Sequence, residues 1–411
     1  MSARMSARMP ARRLLTRGAL ALLLPASLLA GSTTGSASES AAPAEPPANV
    51  AVKKAKRQWV KLEALPPIIQ HGRGVASPDA ARAALTATLR PVRVGRRFEL
   101  QVRQDDMWTV VATARQDRRG RAQFAAASTG GNGALTYRVK ALPHAGLRKV
   151  TSAPVSTARW QRPSWSDEFS GDRLAPVWSH RGREYVKTAR RSCSKGDPRA
   201  VTVGGGAARL SVIKDPDTMK KCRIRGRDKV PGTYAYRLNG HIGTQGAYSF
   251  RYGHAAARVK FHRLRGQHGA FWMQPVDGMH PGADGAEIDV VEYFGDRHPQ
   301  GGLATFMHRY DARGRVSSGG WVPDSRSYLH GKRDGWSKNY HVFSVEWTPR
   351  TVVFRIDGKE TRRMRVGVSD VRQFPILSLI AADYEIPKIQ GRRLPQHMYV
   401  DWVRVWETPE P

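Results

Sequence analysis

The sequence predicts an all-β protein, a small β-sandwich followed by a large one, and three observations carry that expectation. Short runs of β-branched and aromatic residues recur between turn residues from about residue 78 to residue 408. No stretch shows the 3.6-residue apolar period of a long amphipathic helix. The 39 Gly, 26 Pro and 11 Trp among 411 residues suit a turn-rich β chain better than a helical bundle. A chain of this length has room for two domains, each with its own core.

Residues 1–38 read as a signal peptide. Arg4, Arg8, Arg12, Arg13 and Arg17 precede the apolar run Ala19 to Ala30, which is too short to span a bilayer and is followed by small residues. Export to the extracellular space is therefore expected, by the general route or, through Arg12-Arg13, by the twin-arginine one. No later run is long enough for membrane insertion. Residues 39–77, rich in Ser, Ala and Pro and then basic, read as a linker. Residues 78–157 alternate polar and apolar positions in short strands, as in Phe98 to Val102 and Trp108 to Ala112. Turn signals at Gly95, Asp117 to Gly120 and Gly130 to Gly133 complete the pattern of a small immunoglobulin-like β-sandwich, either a spacer or a sugar-binding module. Residues 164–408 continue the pattern over ten longer runs, among them Gly246 to Phe250, and predict two large antiparallel sheets packed face to face.

The formal charge of +34 is spread along the chain without a nucleic-acid-binding signature, so no nucleic acid is expected as partner. A basic surface that meets an anionic cell envelope or acidic polysaccharide accounts for it as well. Cys193 and Cys222 are the only cysteines, and in an exported chain they are expected to form a disulfide contributing roughly 3 to 4 kcal/mol. No metal is expected, because two cysteines without a paired ligand motif make no zinc site, and neither a Walker loop nor a G-x-S-x-G elbow is present.

The chemistry concentrates in Glu287-Ile288-Asp289-Val290-Val291-Glu292. Its β-branched residues make it a strand, on which Glu287 and Asp289 share a face while Glu292 points away. One extra residue at Val290-Val291, a β-bulge, returns Glu292 to the face of the other two carboxylates. Three unrelated acids on a solvated strand are the alternative.

The surroundings favour the first reading. Asp167-Glu168-Phe169, Tyr252-Gly253 with Arg258, Ala270-Phe271-Trp272-Met273, the acidic strand, Val345-Glu346-Trp347-Thr348-Pro349, Asp357-Gly358 and Val400 to Trp406 follow one another in an order that resembles glycoside hydrolase family 16. The acidic strand resembles the family's bulged, laminarinase-type form. The resemblance implies a β-jelly roll with a concave glycan cleft, a polysaccharide substrate and retaining hydrolysis of internal β-linkages. β-1,3-Glucan is the first expectation; galactans of agar or carrageenan type, transglycosylation, or glycan binding without catalysis are the alternatives. Two departures bear on the cleft: Ala255-Ala256-Ala257 stands where the family often has a glutamate, and Leu377-Ser378-Leu379-Ile380 replaces an asparagine-bearing segment.

By the same resemblance Glu287 is the expected nucleophile, Glu292 the acid/base and Asp289 the group between them that tunes the set. Trp272 is the expected sugar platform or a core residue, and His308 is expected beside the acid/base or on the surface. Asn239, Trp321 and Trp336 are further substrate-binding candidates, whereas Trp347 and Trp402 read as structural. No cofactor is expected; family precedent includes a structural calcium, for which no ligand run appears. The chain is expected to act as a monomer.

Overall fold

A computed structural model describes residues 57–225 and 231–409; the expected signal peptide and the first part of the expected linker lie outside the described residues. The small sandwich begins earlier than residue 78. Strand β1 (Trp59–Ala64) pairs along its whole length with β2 (Ala83–Arg90), so the second part of the expected linker is structured. The alternation of Val60 and Leu62 toward the core escapes notice beside a basic flank, but it is ordinary strand patterning. Together with β3 (Arg97–Gln104), β4 (Met107–Arg115), β5 (Arg121–Ala126) and β6 (Thr136–Ala141), these strands make two sheets, β1-β2-β5 and one built on β6-β3-β4. Leu62, Leu85, Phe98, Leu100, Phe124 and Val139 form its core.

The large domain is a jelly roll. Its strands are β7 (Ala207–Lys214), β8 (Arg237–Gly243), β9 (Gly253–Lys260), β10 (His268–Pro275), β11 (Glu287–Tyr293), β12 (Leu303–Asp311) and β13 (Gly314–Trp321). They continue with β14 (His341–Thr348), β15 (Thr351–Ile356), β16 (Lys359–Met364), β17 (Gln373–Ile380) and β18 (Gln396–Glu407). Hydrogen bonds link them in the order β13-β12-β11-β10-β17-β8-β7-β18-β9-β14-β15-β16, so the two expected layers are one curled sheet. The layers meet through ring contacts: Phe261 lies 5.0 Å from Tyr293 of β11 and 5.2 Å from Phe343 of β14. Gly246 to Phe250, expected as a strand, is a turn that ends in a single bridge from Phe250 to Gln373.

The outer face of β9, β14 and β18 is covered by the segment that follows β1. Leu65 and Ile68 pack with Ala256, Val342, Trp402 and Trp406. Buried Arg258 donates to the carbonyls of Gln70 (2.5 Å) and Gly74 (3.0 Å) and pairs with Asp401, while the Trp402 indole donates to Gln70 Oε1 (2.7 Å). Trp347 and Trp402 are fully buried and structural, as expected. This leaves the opposite layer, β8, β17, β10, β11, β12 and β13, with its outer face open. That face carries the acidic strand.

Candidate active site

On β11 the side chains of Ile288, Val290, Val291 and Tyr293 all enter the core. Two consecutive inward valines mark the bulge. The pairing with β10 steps from Phe271–Val291 to Trp272–Asp289, and that with β12 from Asp289–Phe306 to Glu292–Ala304, so one residue on β11 has no counterpart on either side. Burying both valines turns Glu287, Asp289 and Glu292 to the same outer face. All three line a cleft of about 510 Å³.

Each carboxylate has a different environment. Glu287 accepts an Nη–H of Arg315 (3.1 Å) on one oxygen and the Gln274 amide (3.2 Å) on the other, and Gln274 is itself held by Arg181 (3.0 Å). Asp289 is buried, 3.1 Å from His308 Nε2, whose other ring nitrogen meets Ser317 Oγ at 2.6 Å. A hydroxyl donating to Nδ1 leaves the ring proton on Nε2, the nitrogen nearest Asp289. Burial raises the Asp289 pKa, and the nearby Glu287 charge adds to the effect; burial and then Arg315 lower that of His308.

Glu292 sits between Ala270 and Ala304 on the neighbouring strands, small residues that leave it room. Burial first, and the Asp289 charge second, raise its pKa to about 7. His268 Nε2 stands 3.9 Å from it, and Nδ1 of the same ring meets buried Glu385 at 2.6 Å. Burial acts to discharge His268, but the Glu385 carboxylate outweighs it and the ring's pKa is raised. One acid that holds its proton near neutrality and one carboxylate that accepts an N–H on each oxygen thus share a cleft, the pairing that acid-assisted displacement at a sugar carbon needs.

Trp272 lines the same cleft, half-buried, its indole donating to Ser378 Oγ (3.2 Å), and Trp321 stands at one end. His308 is beside Asp289 rather than beside Glu292, because it lies opposite Glu287 across β12. Asn239 and Trp336 do not belong to the cleft. Asn239 is buried beneath the loop that Cys193 anchors, donating to Ser194 Oγ (2.9 Å) and accepting from the Ala381 amide (3.2 Å). Trp336 is buried in the core against His341 and Phe343. Cys193 and Cys222 form the expected disulfide.

The sequence reading missed Gln274, His268, Arg315 and Glu385. The first two follow from Trp272 by counting in twos along β10, and Arg315 shares the alternation of Ser317 and Trp321 on β13; Glu385, in a loop, carried no signal. Two sets of donor atoms lie close enough for a metal ion among the described residues: Glu287, Asp289 and His308, and His330, His341 and Asp357. Each includes histidine nitrogen, whereas calcium takes oxygen ligands, so neither suits the calcium of family precedent.

Residues 215–402 match the family model described as Glycosyl hydrolases family 16. The chain is 26% identical over 210 residues to a glucan endo-1,3-beta-glucosidase A1 of Niallia circulans, covering 47% of this chain and 28% of that one. It is 25% identical over 257 residues to a keratan-sulfate endo-1,4-beta-galactosidase of Sphingobacterium multivorum, covering 60% and 55%. The chain therefore spans at most about half the length of these two relatives. Among solved structures, the laminarinase catalytic domain from Thermotoga maritima aligns over 61% of this chain and 99% of its own, with TM-score 0.47 and 20% identity. Residues 215–402 are a glycosyl hydrolase family 16 domain.

Proposed function

We propose that the protein is an exported retaining endo-β-glycosidase. Glu287 attacks the anomeric carbon as the glycosidic C–O bond breaks, and Glu292 gives its proton to the departing oxygen. Glu292, now a carboxylate, then takes a proton from water, whose oxygen displaces Glu287 and restores both groups. Asp289, paired with His308, adjusts how the cluster holds its protons. These steps use only side chains of this chain. The observation that carries the reading is the bulge, which puts the two glutamates on one face with unlike environments.

β-1,3-Glucan is the backbone that the bulged motif supports, and the glucanase relative agrees with it. A second reading, an anionic galactan, is favoured by two arginines of the cleft: Arg190 and Arg191 line it beside Arg315, which Glu287 already holds, and a neutral glucan has no charge to pair with the first two. The disulfide supports export to an oxidising compartment. Reducing-end release from laminarin, lichenan, agarose and κ-carrageenan, with product stereochemistry followed by proton NMR, tests the proposal. Retention on one polymer, abolished by Glu287→Gln, is the expected result; an inverted product, or full activity of that variant, would refute it.

A further inference from the structure

The cleft continues beyond Trp321. Phe294, Trp321 and Tyr384 also wall an adjoining hollow with Arg265, His298, Lys388 and Glu385, the last already held by His268, and Arg265, His298 and Lys388 lead on into a groove of about 1200 Å³. The junction is a firm one. His298 stacks on Trp321 (4.5 Å) and Phe294 packs edge-on against the same indole (5.2 Å). Gly295, at φ +95°, lets this loop lie against residues 264 and 265, where a Cβ would stand 2.8 Å from backbone atoms. The Asp296 amide donates to the Arg263 carbonyl (2.9 Å), and Ser337 Oγ donates to the Asp296 carboxylate (2.7 Å), which ties a third segment to the first two.

Eight lysine and arginine side chains line the groove, against two aspartates. Both aspartates are already engaged. Asp296 accepts from Tyr293 and Ser337, and Asp334 accepts from the amides of His330 and Gly335 and from Asn339. Among the described residues, Arg265, Arg297, Lys338 and Lys388 form no ion pair. The pKa of His298 is held down by burial and then by Arg265 and Lys388, against the opposing pull of Glu385, so the two cations stand close enough to the same ring to act on it. Unpaired like charges gathered in a concave surface raise the local potential and draw in a polyanion.

We propose that this groove binds the sulfate or carboxylate groups of a polysaccharide whose neighbouring sugars occupy the carboxylate cleft, so that the substrate is a charged glycan. The inference rests on the glycosidase reading and chooses its anionic form. A glycan is favoured over a nucleic acid because the groove opens from the cleft that holds Glu287, Asp289 and Glu292, three acids that would repel a phosphate backbone.

The test uses the full chain carrying Glu287→Gln, so that bound polymer is not cut. Affinity for κ-carrageenan, polygalacturonate, agarose and a 20-base-pair DNA duplex is measured at several salt concentrations. Expected is tight binding of one charged glycan that weakens as salt rises, and weaker, salt-indifferent binding of agarose. Which of the two charged polymers binds tells sulfate from carboxylate. Replacing Arg265, Arg297, Lys338 and Lys388 by serine should weaken that binding at least about tenfold and flatten its salt dependence. The control replaces exposed Arg97, Arg115, Arg148 and Lys149 of the small sandwich, removing equal charge elsewhere. Equal losses in the two quadruple variants, or equal DNA affinity lost with the groove residues, would overturn the proposal. If the chain is no hydrolase, the protein with Glu287 intact will cut nothing while groove-dependent binding persists. If only the groove assignment is wrong, cleavage stands and binding ignores the four substitutions.

Discussion

Replacing Glu292 by glutamine tests the proton on which the mechanism turns. Its side chain is 19% exposed between two alanines, and burial followed by Asp289 raises its pKa from an ordinary 4.5 to about 7. Between those values the unfolded chain has released this proton and the folded chain has not. The unfolded state then binds fewer protons, so stability falls as pH rises through the window from about 4.5 to about 7. The whole difference amounts to about 3 kcal/mol. Glutamine keeps the shape and does not titrate. Urea unfolding at intervals from pH 4 to pH 8 should therefore show the wild type losing about 3 kcal/mol relative to Glu292→Gln, nearly all of it below pH 7.5. The same proton sets the alkaline limb of kcat/KM near pH 7, and the variant should be about 10² to 10⁴-fold slower with that limb gone. A stability difference that is flat with pH, or an unchanged alkaline limb in the residual activity, would show that Glu292 is an ordinary carboxylate.

Four other perturbations follow from the fold. Deleting Val290 leaves Glu-Ile-Asp-Val-Glu, whose plain alternation keeps all three carboxylates outward without a bulge, so the variant should still cut the same polymer with kcat within about a hundredfold of the wild type; a folded deletion protein with no activity would contradict the bulge as the device that sets the face of Glu292. His308→Ala leaves Asp289 without its imidazole partner, and kcat should fall about tenfold or more while an NMR titration finds the Asp289 pKa higher still. Cys193→Ser opens a loop between residues 29 apart and should cost about 3 to 4 kcal/mol in urea unfolding, with KM raised because Arg190 and Arg191 precede that anchor. Arg258→Met leaves buried Asp401 uncompensated and should cost about 3 to 5 kcal/mol by urea unfolding, yet leave kcat unchanged, since it lies on the layer opposite the cleft.

How far the site could be read in advance depends on how local each cause is. The three carboxylates were legible because both the alternation of a strand and its interruption are written in six consecutive residues. Two adjacent valines cannot both face the core of a regular strand, and neither can be left in water beside three acids without loss. Partners were legible only where the same alternation carried them, as Gln274 follows from Trp272. Arg315 meets Glu287 through two registers in series, Glu287 opposite His308 and Tyr310 opposite Arg315, and each is set by turns and distant pairings. Asn239 fails for a related reason. Its strand also belongs to the open layer, but the segment after Cys193 pairs in parallel with β8 and, with Ala381, takes up the Asn239 amide group in hydrogen bonds.

The same logic explains why a charge of +34 was ambiguous as a sum and informative once placed. Spread evenly, such an excess means solubility and weak attraction to any anion. Here the loops after β11 and β13, the turn before β10 and the segment before β18 bring their cations to one hollow that opens from the carboxylates. Concentration in a groove costs stability through mutual repulsion, a cost that neighbouring acids usually offset. The two aspartates that line the groove are engaged in holding the loops together, so neither is paired with its cations. On the proposed binding mode, what selects that anion is the path from Trp321 to Glu292, because the anion must belong to a chain whose neighbouring sugars fill the carboxylate cleft.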